Sequence, residues 1–309
     1  MKGKGVKMNV IEATNLTKYY GPIKGIKDLN LRVEKGDFFG FIGPNGAGKS
    51  TCIRTLLGLI FPTGGSASVL GHDIVTGHDE ILRSIGYLPS EINFYNGMRV
   101  KDVLKFSADL QGKNCDEEAA KLCERLDLDM GKRADYLSLG NRKKAGIVCA
   151  LQHKPDLLIL DEPTSGLDPL MQREFFKILT ERNEEGTTVF LSTHILSEVQ
   201  AHCRTAAFIK DGSIIISDRV DKLEETGAKK VVIRGGTGDR LIRELKSEEK
   251  TGRGKAGGCV TDLRTDEDVV SFLYDGDIPR LLRLLAEEGP RDVSITEPTM
   301  EEIFMNYYE

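Results

Sequence analysis

The sequence predicts an α/β fold with a mostly parallel sheet at its centre, and three stretches predict it. The first is Gly43-Pro44-Asn45-Gly46-Ala47-Gly48-Lys49-Ser50-Thr51, which satisfies the phosphate-loop pattern G-x-x-x-x-G-K-[ST]. The second is Asp156-Leu157-Leu158-Ile159-Leu160-Asp161-Glu162, a run of four aliphatic residues closed by two carboxylates. Such a run marks a strand buried on both faces. The third is Thr187-Thr188-Val189-Phe190-Leu191-Ser192, another apolar strand that delivers Thr193 and His194. Open α/β sheets gather their ligands at the carboxyl ends of their strands, where both of these strands end in polar residues.

The chain opens on Met1 to Lys7, a basic stretch with no apolar run behind it, so no secretory leader is expected and Met8 is a candidate start. Asn9-Val10-Ile11-Glu12-Ala13 and Asp28-Leu29-Asn30-Leu31-Arg32-Val33 alternate apolar and polar residues, the mark of half-buried antiparallel strands. Between them, Lys18-Tyr19-Tyr20-Gly21-Pro22 predicts a turn with two aromatics. Tyr20 can stack on a purine or pack on the small sheet. Phe38 to Ile42 predicts a buried strand leading into the phosphate loop, and Cys52 to Ile60 a helix leaving it. That order gives the motif its chemistry. Inward-pointing N–H groups and a helix N-terminus hold an anion, and the glycines let the main chain approach it. Lys49 neutralises β/γ-phosphates and Ser50 offers a hydroxyl to Mg²⁺.

Thr63-Gly64-Gly65 predicts a turn, Ser66 to Leu70 a strand, Ile81 to Ile85 a short helix and Ile85 to Leu88 a short strand. Pro89 to Arg99 is a polar loop. Val100 to Leu110 and Glu117 to Leu126 carry helical apolar spacing, so residues from about 90 to 140 predict a helical insertion. Tyr136-Leu137-Ser138-Leu139-Gly140-Asn141 is a turn opening a helix through Leu151. Ser138 there is either an N-cap or a second phosphate contact. Asp161 at its strand tip suits Mg²⁺ held through water, and Glu162 suits polarising an attacking water. Ser165-Gly166-Leu167-Asp168-Pro169 is a turn with proline opening a helix. His194, at the same sheet edge, is either structural or a donor to a γ-phosphate. Ala206 to Ile216, around Asp211-Gly212, predicts a hairpin with a type I′ turn.

A net charge of −5 argues against an extended nucleic-acid footprint. Cys52, Cys115, Cys123, Cys149, Cys203 and Cys259 form no C-x-x-C pair and predict core thiols rather than a zinc or disulfide framework. No stretch approaches the ~20 apolar residues that span a bilayer. The chain is expected in the cytoplasm, and a membrane role requires another subunit.

Taken together, residues 8 to 225 resemble the nucleotide-binding subunit of an ATP-binding cassette (ABC) transporter, with the P-loop NTPase core of that family. The resemblance implies that Tyr20 stacks on adenine and that Gly43, Pro44, Asn45, Gly46, Ala47, Gly48, Lys49, Ser50 and Thr51 form the Walker A loop. It makes Asp161 the Walker B aspartate, Glu162 the catalytic glutamate, Ser165 to Asp168 the D-loop and His194 the switch histidine. Leu137 to Asn141 falls where the family signature LSGGQ belongs, with Leu139 replacing glycine and Asn141 glutamine. Ser138 and Gly140, the two residues that would touch phosphate, remain. Where the family carries a glutamine that contacts Mg²⁺ and water, this chain has Ser90 followed by Glu91. Serine is too short for the same contacts, so a water substitutes or Glu91 reaches in. A slow or tightly regulated ATPase is expected.

Residues 229 to 309 lie beyond the cassette. Lys229 to Arg234, Val260 to Leu263, Val269 to Tyr274 and Asp292 to Ile295 predict strands, and Asp239 to Lys246 and Ile278 to Ala286 helices. Ser247 to Gly258 predicts a loop. The order β-α-β-β-α-β is ferredoxin-like. Met300, Ile303, Phe304 and Tyr307 then line an amphipathic helix. This domain is a stabilising appendage or a regulatory, dimer-stabilising one. The stretch Glu297 to Phe304 is similar to that of ABC exporters of antibiotics, drugs or lipids.

The resemblance implies a homodimer in which each ATP sits between Lys49 and Ser50 of one chain and Ser138 and Gly140 of the other. Hydrolysis would drive export by a separate membrane permease, with the chain peripheral on the cytoplasmic face and no nucleic acid involved. Two other functions fit a single cassette: a soluble ATPase acting on ribosomes or nucleic acid, and a weakly hydrolysing, nucleotide-gated regulator.

Overall fold

The computed structural model describes residues 8–224, 228–235, 259–266, 268–299 and 302–303. The chain divides into two compact units, Met1–Val220 and Asp221–Glu309.

The first unit begins with a long hairpin, β1 (Asn9–Tyr20) and β2 (Ile23–Glu34), followed by β3 (Phe38–Ile42) and helix α1 (Lys49–Leu56). Strands β4 (Gly64–Val69) and β5 (His72–Asp73) join the hairpin in an antiparallel sheet ordered β2-β1-β4-β5. Alternation stops at Ala13 in the sequence, yet β1 continues to Tyr20. Register shifts between Ala13 and Leu16 and again before Lys18 carry the pairing through, and Asn15 takes φ +48 at the first of them. A bulge of this kind breaks the period of two without ending the strand. Lys18 to Tyr20 therefore belong to the strand, and only Gly21 and Pro22 make the turn.

Helix α1 also differs from the expectation. It starts at Lys49, directly on Gly48, and stops at Leu56 rather than Ile60. Gly58 takes φ +67 and its N–H bonds to Thr55 O at 3.0 Å, a left-handed stop just past the helix.

Helices α2 (His78–Ser84), α3 (Val100–Leu110) and α4 (Asp116–Arg125) bracket β6 (Ile85–Leu88) and the loop after it. Then come α5 (Leu139–Leu151), β7 (Leu157–Asp161), α6 (Pro169–Glu184), β8 (Thr188–Thr193), α7 (Leu196–His202), β9 (Thr205–Lys210) and β10 (Ser213–Arg219). The central sheet runs β10-β9-β3-β8-β7-β6. All its pairs are parallel except β9–β10, which are joined by Asp211 (φ +48) and Gly212 (φ +79), both positive as a type I′ turn requires. Every residue of β3, β7 and β8 is buried, as strands covered on both faces must be.

One core fills the space between the two sheets and encloses α1. Ile11, Leu16, Leu29, Phe39, Phe41, Ile53, Leu56, Ile159 and Phe190 all belong to it. Phe190 stacks on Phe39, with ring centroids 5.5 Å apart and planes 9° from parallel, and tilts against Phe41 at 5.4 Å. The five free cysteines among the described residues, Cys52, Cys115, Cys123, Cys149 and Cys203, are buried or half-buried. Burial pushes the Cys52 thiol up to about 12.

The second unit opens with helix α8 (Val220–Glu224) and holds β11 (Lys229–Arg234), β12 (Cys259–Asp266), β13 (Val269–Asp275), α9 (Ile278–Glu288) and β14 (Asp292–Thr296). Its sheet is antiparallel in the order β12-β13-β11-β14, which puts the first and third strands in the middle and the second and fourth at the edges, the ferredoxin-like arrangement. Leu281 and Leu285 of α9 cover Val231, Ile233, Phe272 and Tyr274 in a separate core. The expected helix at 239–246 and loop at 247–258 lie outside the described residues, as does most of the helix expected from 300 to 307. Glu302 and Ile303 of that helix are described, and are helical.

Truncating Phe190 to alanine removes two ring contacts from a fully buried site. The unfolding free energy of this unit is expected to fall by about 3–5 kcal/mol, read as an earlier midpoint in urea.

Candidate functional site

The candidate site forms where β3, β7 and β8 end. The turn from β3 to α1 is tight, and its glycines have specific reasons. A Cβ on Gly43 would stand 2.4 Å from Ile209 O. Gly48 takes φ +104, and a Cβ there would stand 2.5 Å from Gly25 O. The β9–β10 turn braces the loop from outside, since Gly212 N–H bonds to Ala47 O at 2.9 Å and Lys27 N–H to Gly212 O at 2.8 Å. Gly25 is crowded on one side by Thr51 Cγ2 and by the Tyr20 ring. Tyr20 thus stands beside the first turn of α1, 45% exposed, with Lys18 Nζ 5.2 Å from its ring centroid. The ring is half-exposed, between Gly25 of β2 and solvent.

Lys49 is 6% exposed. Its ammonium donates to Gly43 O at 2.7 Å and Pro44 O at 3.2 Å, and pairs with Glu162 Oε1 at 3.2 Å. The other carboxylate oxygen, Oε2, lies 2.7 Å from His194 Nδ1. A carboxylate can only accept, so Nδ1 carries the hydrogen. Lys49, Glu162 and His194 therefore form one continuous chain of contacts from three strand ends. Glu162 Oε1 is buried and has no aligned hydrogen-bond donor.

Glu162 is held by its main chain in a conformation that non-glycine residues seldom adopt, φ +50. Its N–H bonds to Ser192 O at 3.0 Å, and its carbonyl accepts from Lys143 Nζ at 3.2 Å and Ser165 N–H at 3.4 Å. Beside it, Asp161 is 1% exposed and accepts Ser192 Oγ on Oδ1 at 3.0 Å. Ser50 lies in the first turn of α1. A carboxylate and a hydroxyl are hard oxygen donors, which suit Mg²⁺ while it keeps several waters. Among the described residues no cluster of three or more His, Cys, Asp or Glu side chains could hold a metal. Ser90 is half-buried after β6, and its carbonyl accepts from Lys143 Nζ at 2.9 Å. Glu91 is exposed.

The turn at 137–141 packs against the turn that follows Glu162. Ser138 caps α5, its Oγ accepting Asn141 N–H at 3.3 Å. Gly140 lies against the Gly166 carbonyl, where a Cβ would meet it at 2.8 Å, and the Leu139 side chain leans over Gly166. Leu139 is 65% exposed. The leucine in place of glycine is therefore directed at the chain's own D-loop. Asp168 caps α6, with Oδ1 accepting Leu170 N–H at 3.1 Å and Met171 N–H at 3.0 Å.

Two residues at the site escape the motif reading. Lys143 is 2% exposed; burial holds its pKa below the usual lysine range, against the pull of the Asp161 and Glu162 charges. Its position four residues before Ile147, on the apolar face of α5, was the available signal. Glu198 on α7 is also buried and accepts Thr193 Oγ1 at 2.7 Å. Burial raises its pKa, with hydrogen bonds from Thr193 and Thr164 working the other way.

The chain is similar to known proteins. The family model described as ABC transporter matches residues 26–165, and a model described as an AAA domain matches residues 132–199. The bacitracin transport ATP-binding protein BcrA of Bacillus licheniformis is 33% identical over 304 residues, covering 96% of each chain. A protein of Escherichia coli (strain K12), named "Probable multidrug ABC transporter ATP-binding protein YbhF", is 36% identical over 224 residues, and the chain spans 39% of its length. A solved ATP-binding subunit of an ABC transporter superposes with a TM-score of 0.67 at 28% identity, covering 70% of this chain and 92% of that one. A dimeric bacterial ABC transporter cassette does so with a TM-score of 0.63 at 25% identity, covering 68% and 98%. With the phosphate loop, the paired carboxylates and the histidine gathered at one sheet edge, and a relative matched along nearly its whole length, the chain belongs to the ATP-binding subunits of ABC transporters.

Proposed function

We propose that two copies of this chain enclose two ATP molecules head to tail, hydrolyse them with Mg²⁺, and so drive export through a separate membrane permease. The observation that carries this reading is the contact chain from Lys49 through Glu162 to His194 beneath the phosphate loop. Its three members are the charge neutraliser, the base and the γ-phosphate contact that hydrolysis needs, and phosphoryl transfer is chiefly positioning and charge neutralisation.

In this arrangement Lys49 spends its donors on Gly43 and Pro44 carbonyls and on Glu162. Phosphate would compete for that ammonium while the N–H groups from Gly43 to Thr51 wrap the β- and γ-oxygens. Losing Lys49 frees Oε1 of Glu162 to take a proton from water, while His194 keeps Oε2 fixed. A neutral His194 that gives its Nδ1–H to Glu162 has an acceptor at Nε2. Contact with a γ-phosphate therefore needs the doubly protonated ring or a reorientation of the ring. Mg²⁺, when bound, supplies neutralisation of the charge on the β- and γ-phosphates; Ser50 and Asp161 are the residues proposed to hold it. Ser90 would reach it only through water.

The signature residues Ser138 and Gly140 are assigned to the nucleotide of the partner chain. Ser138 and Leu139 are exposed in the single chain, which suits a face completed by a second copy. Tyr20 is assigned to adenine. Asp168 sets the start of α6 and with it the D-loop turn. No helix among the described residues is long and apolar enough to cross a membrane. The permease is proposed as a separate membrane subunit, with this chain peripheral at its cytoplasmic face. Export rests on relatives named for bacitracin and multidrug transport. The C-terminal unit is proposed as an accessory domain.

Replacing Glu162 with glutamine is expected to lower kcat by ~10²–10⁴-fold, while ATP binding persists and a dimer accumulates in ATP on size exclusion. Lys49→Ala is expected instead to weaken ATP binding itself. Hydrolysis at the parental rate by Glu162→Gln would remove Glu162 from the role of base. For direction, inside-out vesicles holding the chain with its permease are expected to accumulate a peptide antibiotic or drug on ATP addition; uptake only by right-side-out vesicles supplied internally with ATP would reverse it.

A further inference from the structure

We propose that Lys143 is a positioning residue for hydrolysis, its buried ammonium tying the main chain of Glu162 to the loop at Ser90. The proposal rests on Glu162 acting as the base.

Ser90 and Glu162 follow neighbouring strands. β6 and β7 pair in parallel, with Leu88 beside Leu160, so the chain leaves both at the same sheet edge. Helix α5 packs close to β6, where a Cβ on Gly86 would stand 2.1 Å from Ala150 O. Lys143 projects from the first turns of that helix and meets both exits, donating to Ser90 O at 2.9 Å and to Glu162 O at 3.2 Å. An apolar side chain would fill the same space on the buried face of α5. Only a group with several donors bridges two carbonyls, and the lysine ammonium has three.

The second argument is conformational. Glu162 sits at φ +50, a conformation that persists in a non-glycine residue only where its surroundings hold it. The Ser192 carbonyl holds its N–H, and Lys143 and the Ser165 N–H hold its carbonyl. Loss of the ammonium would leave only the long 3.4 Å bond from Ser165 on that carbonyl. The Glu162 carboxylate would then lose the orientation that aims Oε1 at the phosphate loop. Burial works against the Lys143 charge and the nearby Asp161 and Glu162 carboxylates work for it, so the lysine belongs to the same electrostatic cluster as those carboxylates. In the proposed function none of the ATP contacts is assigned to Lys143, so its effect is expected to be confined to turnover.

The test uses the full chain with Lys143→Met, Lys143→Gln, and each change combined with Glu162→Gln. In Lys143→Met, kcat is expected to fall by about tenfold to a hundredfold, with KM and ATP affinity within about threefold of the parent. Lys143→Gln keeps a donor and is expected to retain more of kcat. It decides the question alone if the methionine variant fails to fold, lower kcat at unchanged KM supporting the proposal and parental kcat overturning it. In the Glu162→Gln background the Lys143 change is expected to cost nothing further, because it acts through the carboxylate already removed. Parental kcat in Lys143→Met, a loss carried by KM, or an equal further loss in the Glu162→Gln background would each overturn the proposal. A parent chain that fails to hydrolyse ATP would instead sink the functional reading on which it rests.

Discussion

Buried charge at the carboxyl edge of the central sheet is the constraint around which the first unit is arranged. Lys49, Lys143 and Asp161 are each less than a tenth exposed, and the Glu162 side chain is 17% exposed. An isolated charge in such a setting is strongly unfavourable. Two ammonium groups and two carboxylates offset one another, and main-chain carbonyls accept two hydrogen bonds from each lysine. Removing any one member leaves the rest uncompensated. The parallel order β3-β8-β7 brings these groups together, because it brings three strand ends to one edge.

The geometry also gives the resting cluster a chemical meaning. Lys49 and Glu162 neutralise each other across 3.2 Å, so neither faces the loop as an uncompensated charge. A triphosphate would exchange one partner of Lys49 for another and leave the base unmasked. In the proposed function, binding and activation would then be coupled through a single ammonium. The Lys143 bridge adds a fixed point behind the base, and Glu198, through Thr193, adds one behind His194.

Much of this was legible in the sequence because each motif sits where apolar runs end. Phe38–Ile42 and Leu157–Asp161 are short, wholly buried strands whose boundaries the residue types announce. The order of strands in the C-terminal unit was legible for the same reason. Local conformation was harder to see. The bulge at Asn15 interrupts alternation without ending β1, and Gly58 ends α1 while apolar residues continue to Ile60. Lys143 was the more instructive omission. A lysine among signature residues looks like surface charge, and only its spacing from Ile147 and Val148 marks the buried face. Leu139 is the converse case: the motif marks it as a departure from the family pattern, and only the structure shows its side chain leaning over Gly166 of the same chain. The coverage of relatives follows the division of the chain. The two solved cassettes match 70% and 68% of it, about the share of the first unit, whereas BcrA matches 96%.

The most direct test of the ATP site is a calorimetric titration of the intact chain with ATP and Mg²⁺, followed by assay of released phosphate. Saturation at one nucleotide per chain, with phosphate released afterwards, is the expected result. The absence of saturable binding of any adenine nucleotide to folded protein would contradict it.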